Sequence, residues 1–301
     1  MSTTAYLVDA SPYIFRAYFA LPDSITDPAG RPVQAVYGFR DFLLRLLRRD
    51  DLTHLAVAFD GSLTTSFRNE IYAGYKEGRH LPPPELEAQQ VDCREVAAAL
   101  GARTFVSPRY EADDLVATLH ERVRGSVDRV VVVSGDKDLA QLVDDTTALY
   151  DLARDRWYDA ARVLETFGVT PERILDWLAL VGDPVDSIPG VAGVGKKTAV
   201  ALVAALGSLD EIYADLDAVE GLPLRGAASV RKKLEAGRES AELSRRLAEL
   251  VRDVELDGAD PEDLVWRGPS TEAAEALAAR LGFGSLVDRL PRPRSSVGRS
   301  S

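Results

Sequence analysis

The chain has 301 residues, 46% of them hydrophobic, with a formal net charge of −12. That length fits one large domain or two coupled ones with a sizeable core. One cysteine, Cys93, excludes an internal disulfide framework, and with only three histidines a zinc site of the His/Cys type is not expected. The sequence shows no N-terminal apolar stretch long enough for a signal or membrane span, so a cytoplasmic protein without membrane contact is expected. The acidity argues against a phosphate-binding surface unless the acids are gathered around cations, which would leave other faces free to be basic.

Ala5-Tyr6-Leu7-Val8 is an apolar run ending at Asp9, which predicts a buried parallel strand with an acid at its C-terminal end. Ser11 to Arg31 carries Pro12, Pro22, Pro28 and Gly30 among aromatics, and predicts a short helix followed by a loop. Val36, Phe39, Leu43, Leu46 and Leu47 have the spacing of an amphipathic helix. Leu55 to Phe59 predicts a second strand, again ending at an acid, Asp60. Residues 62–84 are polar, run into Pro82-Pro83-Pro84, and are long for a plain connection. A helix is predicted over Glu85–Leu100, ended by Gly101. Thr104 to Val106 predicts a third strand, leading into Tyr110-Glu111-Ala112-Asp113-Asp114-Leu115.

That last stretch organises the chain. Leu115, Val116, Leu119 and Val123 have helical spacing, so the three acids fall at the helix start. One acid there would complement the helix dipole. Three repel one another unless cations neutralise them, and oxygen ligands favour hard divalent ions such as Mg²⁺ or Mn²⁺. Val130 to Val133 predicts the central strand and runs into Ser134-Gly135-Asp136-Lys137-Asp138; Ala148 to Tyr150 predicts an edge strand. Strands alternating with helices predict an α/β fold with a doubly wound, mostly parallel sheet, whose site lies outside the C-terminal edge. Asp9, Asp60, Glu111, Asp113, Asp114, Asp136 and Asp138 would gather there.

From about residue 160 the pattern is all helical. A helix starting at Pro171 ends in Gly182-Asp183-Pro184-Val185-Asp186, with Ser187-Ile188-Pro189-Gly190 beyond. Gly193-Val194-Gly195-Lys196-Lys197-Thr198 then opens a helix through Leu206. Paired glycines before a helix N-terminus, with two lysines, suit a phosphate. A nucleotide P-loop would follow a strand and needs wider glycine spacing. This turn follows a helix, which favours a helix–hairpin–helix-type grip on a DNA backbone. The basic residues of 208–252 read as a solvated face, and the tail after Leu290 as disordered.

Taken together, Leu7-Val8-Asp9, Val33 to Phe39, Ala58-Phe59-Asp60, Ser66-Phe67-Arg68, Gly74-Tyr75-Lys76, the Glu111 cluster, Ser134 to Asp138 and Gly182 to Thr198 resemble the flap endonuclease/5′→3′ exonuclease family. That family includes the N-terminal nuclease domain of bacterial DNA polymerase I. With no polymerase portion, the chain resembles a stand-alone nuclease. The resemblance implies a PIN-like nuclease core over 1–160 with a helical arch at about 62–84. It implies a helical region over 161–290 with a helix–three-turn–helix at about 171–206, and a tail over 291–301.

It further implies that Asp9, Asp60, Glu111, Asp113, Asp114, Asp136, Asp138, Asp183 and Asp186 are metal ligands. Nine neutralised carboxylates would bring the charge from −12 to −3. Arg68 and Lys76 match basic arch residues that reach the scissile phosphate. Arg68, Tyr75, Lys76 and Arg79 are expected on DNA, as are Gly190, Gly193, Gly195, Lys196, Lys197 and Thr198. A potassium ion is implied at the hairpin carbonyls. Ala10 stands where relatives often carry Gly, and Ser187 where polymerase-linked relatives often carry Asn. The expected activity is two-metal hydrolysis of DNA near single-strand/duplex junctions, in replication and repair, leaving 5′-phosphates. The expected partners are DNA with 5′ flaps, nicks or free 5′ ends, and RNA in RNA–DNA hybrids; the protein is expected to be a monomer. Two alternatives stand beside it: a catalytically dead junction-binding module, and a PIN-like ribonuclease.

Overall fold

A computed structural model describes residues 2–62, 66–78, 82–284 and 286–291. Six strands, β1 (Thr4–Asp9), β2 (Leu52–Asp60), β3 (Arg103–Ser107), β4 (Arg129–Val133), β5 (Thr147–Asp151) and β6 (Arg156–Tyr158), form one sheet in the order β3-β2-β1-β4-β5-β6. The first five pair in parallel and β6 is antiparallel to β5. The predicted edge strand is therefore one place inside the edge. β6, only three residues long, carries too little apolar pattern to be read from sequence.

Among the described residues the α-helices are α1 (Ser11–Ala20), α2 (Gln34–Leu46), α3 (Phe67–Ile71), α4 (Pro84–Ala99), α5 (Ala112–Val123) and α6 (Ala160–Phe167). Then follow α7 (Ile174–Val181), α8 (Lys196–Leu206), α9 (Leu209–Ala214), α10 (Ala227–Ala236), α11 (Arg238–Ala248) and α12 (Thr271–Leu281). The helix predicted from Pro171 begins with a 3₁₀ turn over Pro171–Arg173.

Both sheet faces are covered because successive strand residues point to opposite sides. Ala5 and Leu7 of β1, Ala56 and Ala58 of β2, and Val130 and Val132 of β4 pack with α5, α7 and the later helices. Tyr6 and Val8, Val57 and Phe59, and Val131 and Val133 pack on the other face with α1, α2 and α4. Two-sided burial is why these strands read as unbroken apolar runs. The parallel register sets Asp9 beside Ala58 and Val8 beside Val133, so the strands end together and their terminal acids share one rim.

The helical region does not hang apart from the sheet. Its first helices continue the α5-side core, through Val163, Ile174, Trp177 and Leu178. Its last segment crosses to the opposite face, where Leu277, Leu281 and Phe283 join the core of α2 and α4. Arg280 pairs with Asp92 and Glu95 of α4. The guanidinium of buried Arg40 lies between Tyr37 and Phe283, 4.2 and 4.5 Å from the two ring centroids. No helix among the described residues is long and apolar enough to cross a membrane. Arg79 and residues 292–301 of the predicted tail lie outside the described residues.

Phe283→Ala removes a buried ring and one face of the Arg40 sandwich. It should destabilise the protein by about 3 kcal/mol, read as a lower urea midpoint with an unchanged slope.

Candidate active site

Six carboxylates face one cavity of about 210 Å³: Asp9, Asp60, Glu111, Asp113, Asp136 and Asp186, with Ser11, Pro12, Phe15, Lys76 and Ala112 completing its wall. They come from the ends of β1 and β2, the start of α5, the turn after β4, and the loop after α7. Two small hydroxyls orient two of them, Asp9 and Asp60. Ser11 donates its backbone N–H to Asp9 Oδ1 (3.2 Å) and its hydroxyl to Asp60 Oδ2 (2.6 Å). Ser134 donates its hydroxyl to Asp9 Oδ2 (2.8 Å) and accepts from the Asp136 N–H (3.0 Å). The sequence reading assigned no role to either serine. The available signal was a hydroxyl two residues after a strand-end acid, or two before one.

Asp138 and Asp183 stand outside the cavity lining and are joined to each other through Lys137. Asp183 and Asp186 sit on a tight loop closed by paired hydrogen bonds between Asp183 and Ile188 (2.9 and 2.8 Å). Two glycines make that loop possible. A Cβ on Gly190 would lie 2.5 Å from Gly182 N, and one on Gly182 would lie 2.4 Å from Ile188 O, both at positive φ. The loop also meets the segment at 62–84, since the Lys76 N–H donates to Asp186 O (3.0 Å). Lys76 has a left-handed backbone (φ 57°), a conformation costing about 1 kcal/mol or more outside glycine. Its ammonium pairs with Glu111.

Arg68 is held inside the protein. The resemblance puts it on the scissile phosphate, yet it is 2% exposed and its donors are engaged within the protein. Its Nη1 donates to Asp114 Oδ2 (2.7 Å) and Glu111 Oε2 (2.8 Å); its Nη2 donates to Asp114 Oδ1 (2.8 Å) and Glu249 O (2.9 Å). Its Nε donates to Leu247 O (2.7 Å). Asp114 is its partner in that pairing. One Asp114 oxygen, one from Glu111 and one from Asp113 lie within 4.8 Å of one another. But Asp114 is wholly buried, and each oxygen already accepts two donors, the others being the N–H groups of Val251 (3.0 Å) and Glu111 (3.2 Å). The structure gives Asp114 to Arg68, not to the cavity. Tyr75 is likewise 4% exposed, donates its hydroxyl to Glu111 Oε2 (2.9 Å), and presents no face to a base.

Crowded acids resist ionisation. Burial, then the charges of Asp60 and Asp136, push Asp9 up to about 8 against the Ser134 hydrogen bond. Burial and the Asp114 charge push Asp113 well above the carboxylate range. Burial also raises Asp60, with Lys76 pulling it down and Glu111 pushing it up. Burial raises Glu111 too, but Lys76 and Arg68 overcome that and hold it low. An oxygen-only donor set that is this reluctant to charge by itself fits a hard divalent cation.

About the hairpin, Gly193, Gly195, Lys196 and Lys197 are exposed at the start of α8, Thr198 is half-buried and Gly190 is buried. The Gly190 N–H donates to Ser244 Oγ (2.8 Å), and Ser240 Oγ donates to Gly190 O (2.7 Å). Lys233 Nζ donates to Gly193 O (3.2 Å), so α10 and α11 hold the turn in shape.

Arg68→Met would leave the Asp114 carboxylate buried without its cation. A loss of about 3–5 kcal/mol in stability is expected by chemical denaturation; unchanged stability with weakened DNA binding would restore the phosphate role. The raised Asp9 predicts a pH effect of definite sign. The native state binds a proton that the unfolded state releases near 3.8, so this contribution is lost as pH rises from there through about 8. In EDTA, the melting temperature should therefore fall between pH 5 and 8.5, and excess Mg²⁺ should remove the fall.

Two family models match consecutive parts of the chain. They are the 5′-3′ exonuclease N-terminal resolvase-like domain over residues 4–168 and the 5′-3′ exonuclease C-terminal SAM fold over residues 169–272. DNA polymerase I of Pseudomonas aeruginosa is 43% identical over 296 residues, covering 98% of this chain and 32% of the relative. The chain thus spans about a third of the length of that relative. A 5′-3′ exonuclease of Aquifex aeolicus is 34% identical over 295 residues, covering 97% of this chain and 98% of the relative. The bacteriophage T5 flap endonuclease, solved in a pseudo-enzyme-product complex with DNA and metal ions, has a TM-score of 0.61 at 22% identity. It covers 95% of this chain and 97% of that one, a likeness that speaks to the fold alone. With both halves matched in order and the acids gathered at one rim, the chain belongs to the 5′-3′ exonuclease family.

Proposed function

We propose that the protein is a metal-dependent 5′ nuclease that hydrolyses DNA phosphodiesters near single-strand/duplex junctions and leaves 5′-phosphates. One observation carries this reading: six carboxylates from separate loops face a single cavity that also holds the Lys76 ammonium. Asp9, Glu111, Asp113 and Asp136 would hold divalent ions there, with Asp60 oriented beside them by Ser11 and Ala112. Bound Mg²⁺ or Mn²⁺ supplies activated water and neutralises charge on the phosphate.

The protein's own residues do the positioning. Ser11 and Ser134 fix the carboxylates of Asp9 and Asp60. Lys76, partly buried on the cavity wall, adds positive charge where the phosphate becomes more anionic. Exposed Lys196 and Lys197 and the N-terminus of α8 hold duplex backbone, in the manner of a helix–three-turn–helix. The carbonyls of Gly190 and Gly193, where a potassium ion would sit, already accept from Ser240 and Lys233. An ion there shares those oxygens with the protein. Within the segment at 62–84, buried Arg68 braces Glu111.

A labelled 5′-flap substrate should be cut with Mg²⁺ and not with Ca²⁺. Asp113→Asn should slow cleavage on the order of 100-fold or more while DNA affinity holds. Loss of affinity in place of rate would make the cluster structural. No Mg²⁺-dependent cleavage by the wild type would overturn the assignment.

A further inference from the structure

Lys137 lies between two acids of the site. Its ammonium pairs with Asp183 and stands 3.4 Å from Asp138 Oδ1. That oxygen is buried and has no hydrogen-bond partner, and Asp138 is 8% exposed. A buried carboxylate oxygen without a donor is costly, and an ion pair at that distance offsets the cost only in part. The orphaned oxygen therefore marks a place where a cation belongs more closely than the ammonium now sits. The same turn leads directly into the cavity, because the Asp138 N–H donates to Asp136 Oδ1 (2.9 Å).

Lys137 is also able to leave. Its side chain is 35% exposed, on a flexible four-carbon stem ending in a strongly hydrated point charge. Arg68, in the same acid cluster, is the opposite case: a planar fork locked by backbone carbonyls and a bidentate carboxylate. One cation is built into backbone hydrogen bonds and the other pairs with carboxylates at a partly exposed position.

We propose that Lys137 is a resident competitor for a divalent ion. In the metal-free protein it neutralises Asp138 and Asp183, and a divalent ion taking up those two carboxylates must displace it. The proposal rests on reading the acid cluster as a metal site. It makes the ion at Asp138 and Asp183 the weaker-bound of those the protein takes up, and it keeps these acids together before any metal arrives.

The test is Mn²⁺ binding to the full metal-free chain, followed by calorimetry and by electron paramagnetic resonance of free Mn²⁺. The wild type should show a tighter and a weaker class of site. Lys137→Met should tighten the weaker class about tenfold, a size usual for linked equilibria, and leave the tighter class alone. The same variant should melt earlier than wild type in EDTA, with the gap closing in excess Mn²⁺. Lys137→Arg keeps a cation and should leave the weaker class no tighter than wild type. The proposal is overturned if Lys137→Met leaves the weaker class unchanged or weakens it, since the ammonium would then be passive or would hold the ligands in place. Tightening in both variants overturns it equally. A wild type that takes up no Mn²⁺ defeats the metal-site reading itself, and the proposal with it.

Discussion

Repulsion among carboxylates crowded onto one rim is the constraint on which the rest of this structure depends. The sheet topology creates the crowding, because parallel strands end together and the acids sit at those ends. The molecule answers with opposite charge from three sources. Arg68 is buried against Glu111 and Asp114, Lys76 stands at the cavity wall on Glu111, and Lys137 lies between Asp138 and Asp183. These are not equal to the acids they face. Asp9 and Asp113 remain hard to ionise, and the remaining deficit of positive charge is what a divalent ion would supply.

The Arg68–Asp114 pair also ties distant parts of the chain together. Its partners include the carbonyls of Leu247 and Glu249 and the N–H of Val251, so α3, the start of α5 and the segment after α11 meet at one buried point. A second contact, from Lys76 N–H to Asp186 O, joins the segment at 62–84 to the loop that carries Asp183 and Asp186. The positions of these acids thus depend on the helical region and on the root of that segment. A buried pair of this kind contributes little net stability but is expensive to break, so it fixes geometry more than it strengthens the fold.

Much of this was legible before any coordinates. Apolar runs with an acid at the end, at Val8-Asp9 and Phe59-Asp60, revealed the strands and their shared rim, because two-sided burial removes the polar alternation that would blur them. Glu111, Asp113 and Asp114 announced themselves by density. What the pattern did not carry was direction. Asp113 and Asp114 are neighbours, and only the helix phase at α5 turns one into the cavity and the other onto Arg68. Arg68 and Tyr75 look like exposed polar and aromatic residues of a long connection, and only long-range packing buries them. β6 was too short to register, and Ser11 and Ser134 are common residue types whose role lies in which acid they reach.

If the strand-end acids converge to hold divalent ions, crystals soaked in Mn²⁺ should show anomalous manganese peaks within coordination distance of Asp9, Glu111, Asp113 and Asp136, with none on Asp114. Peaks elsewhere on the surface, or an acid cavity that keeps only its lysines at saturating Mn²⁺, would contradict it.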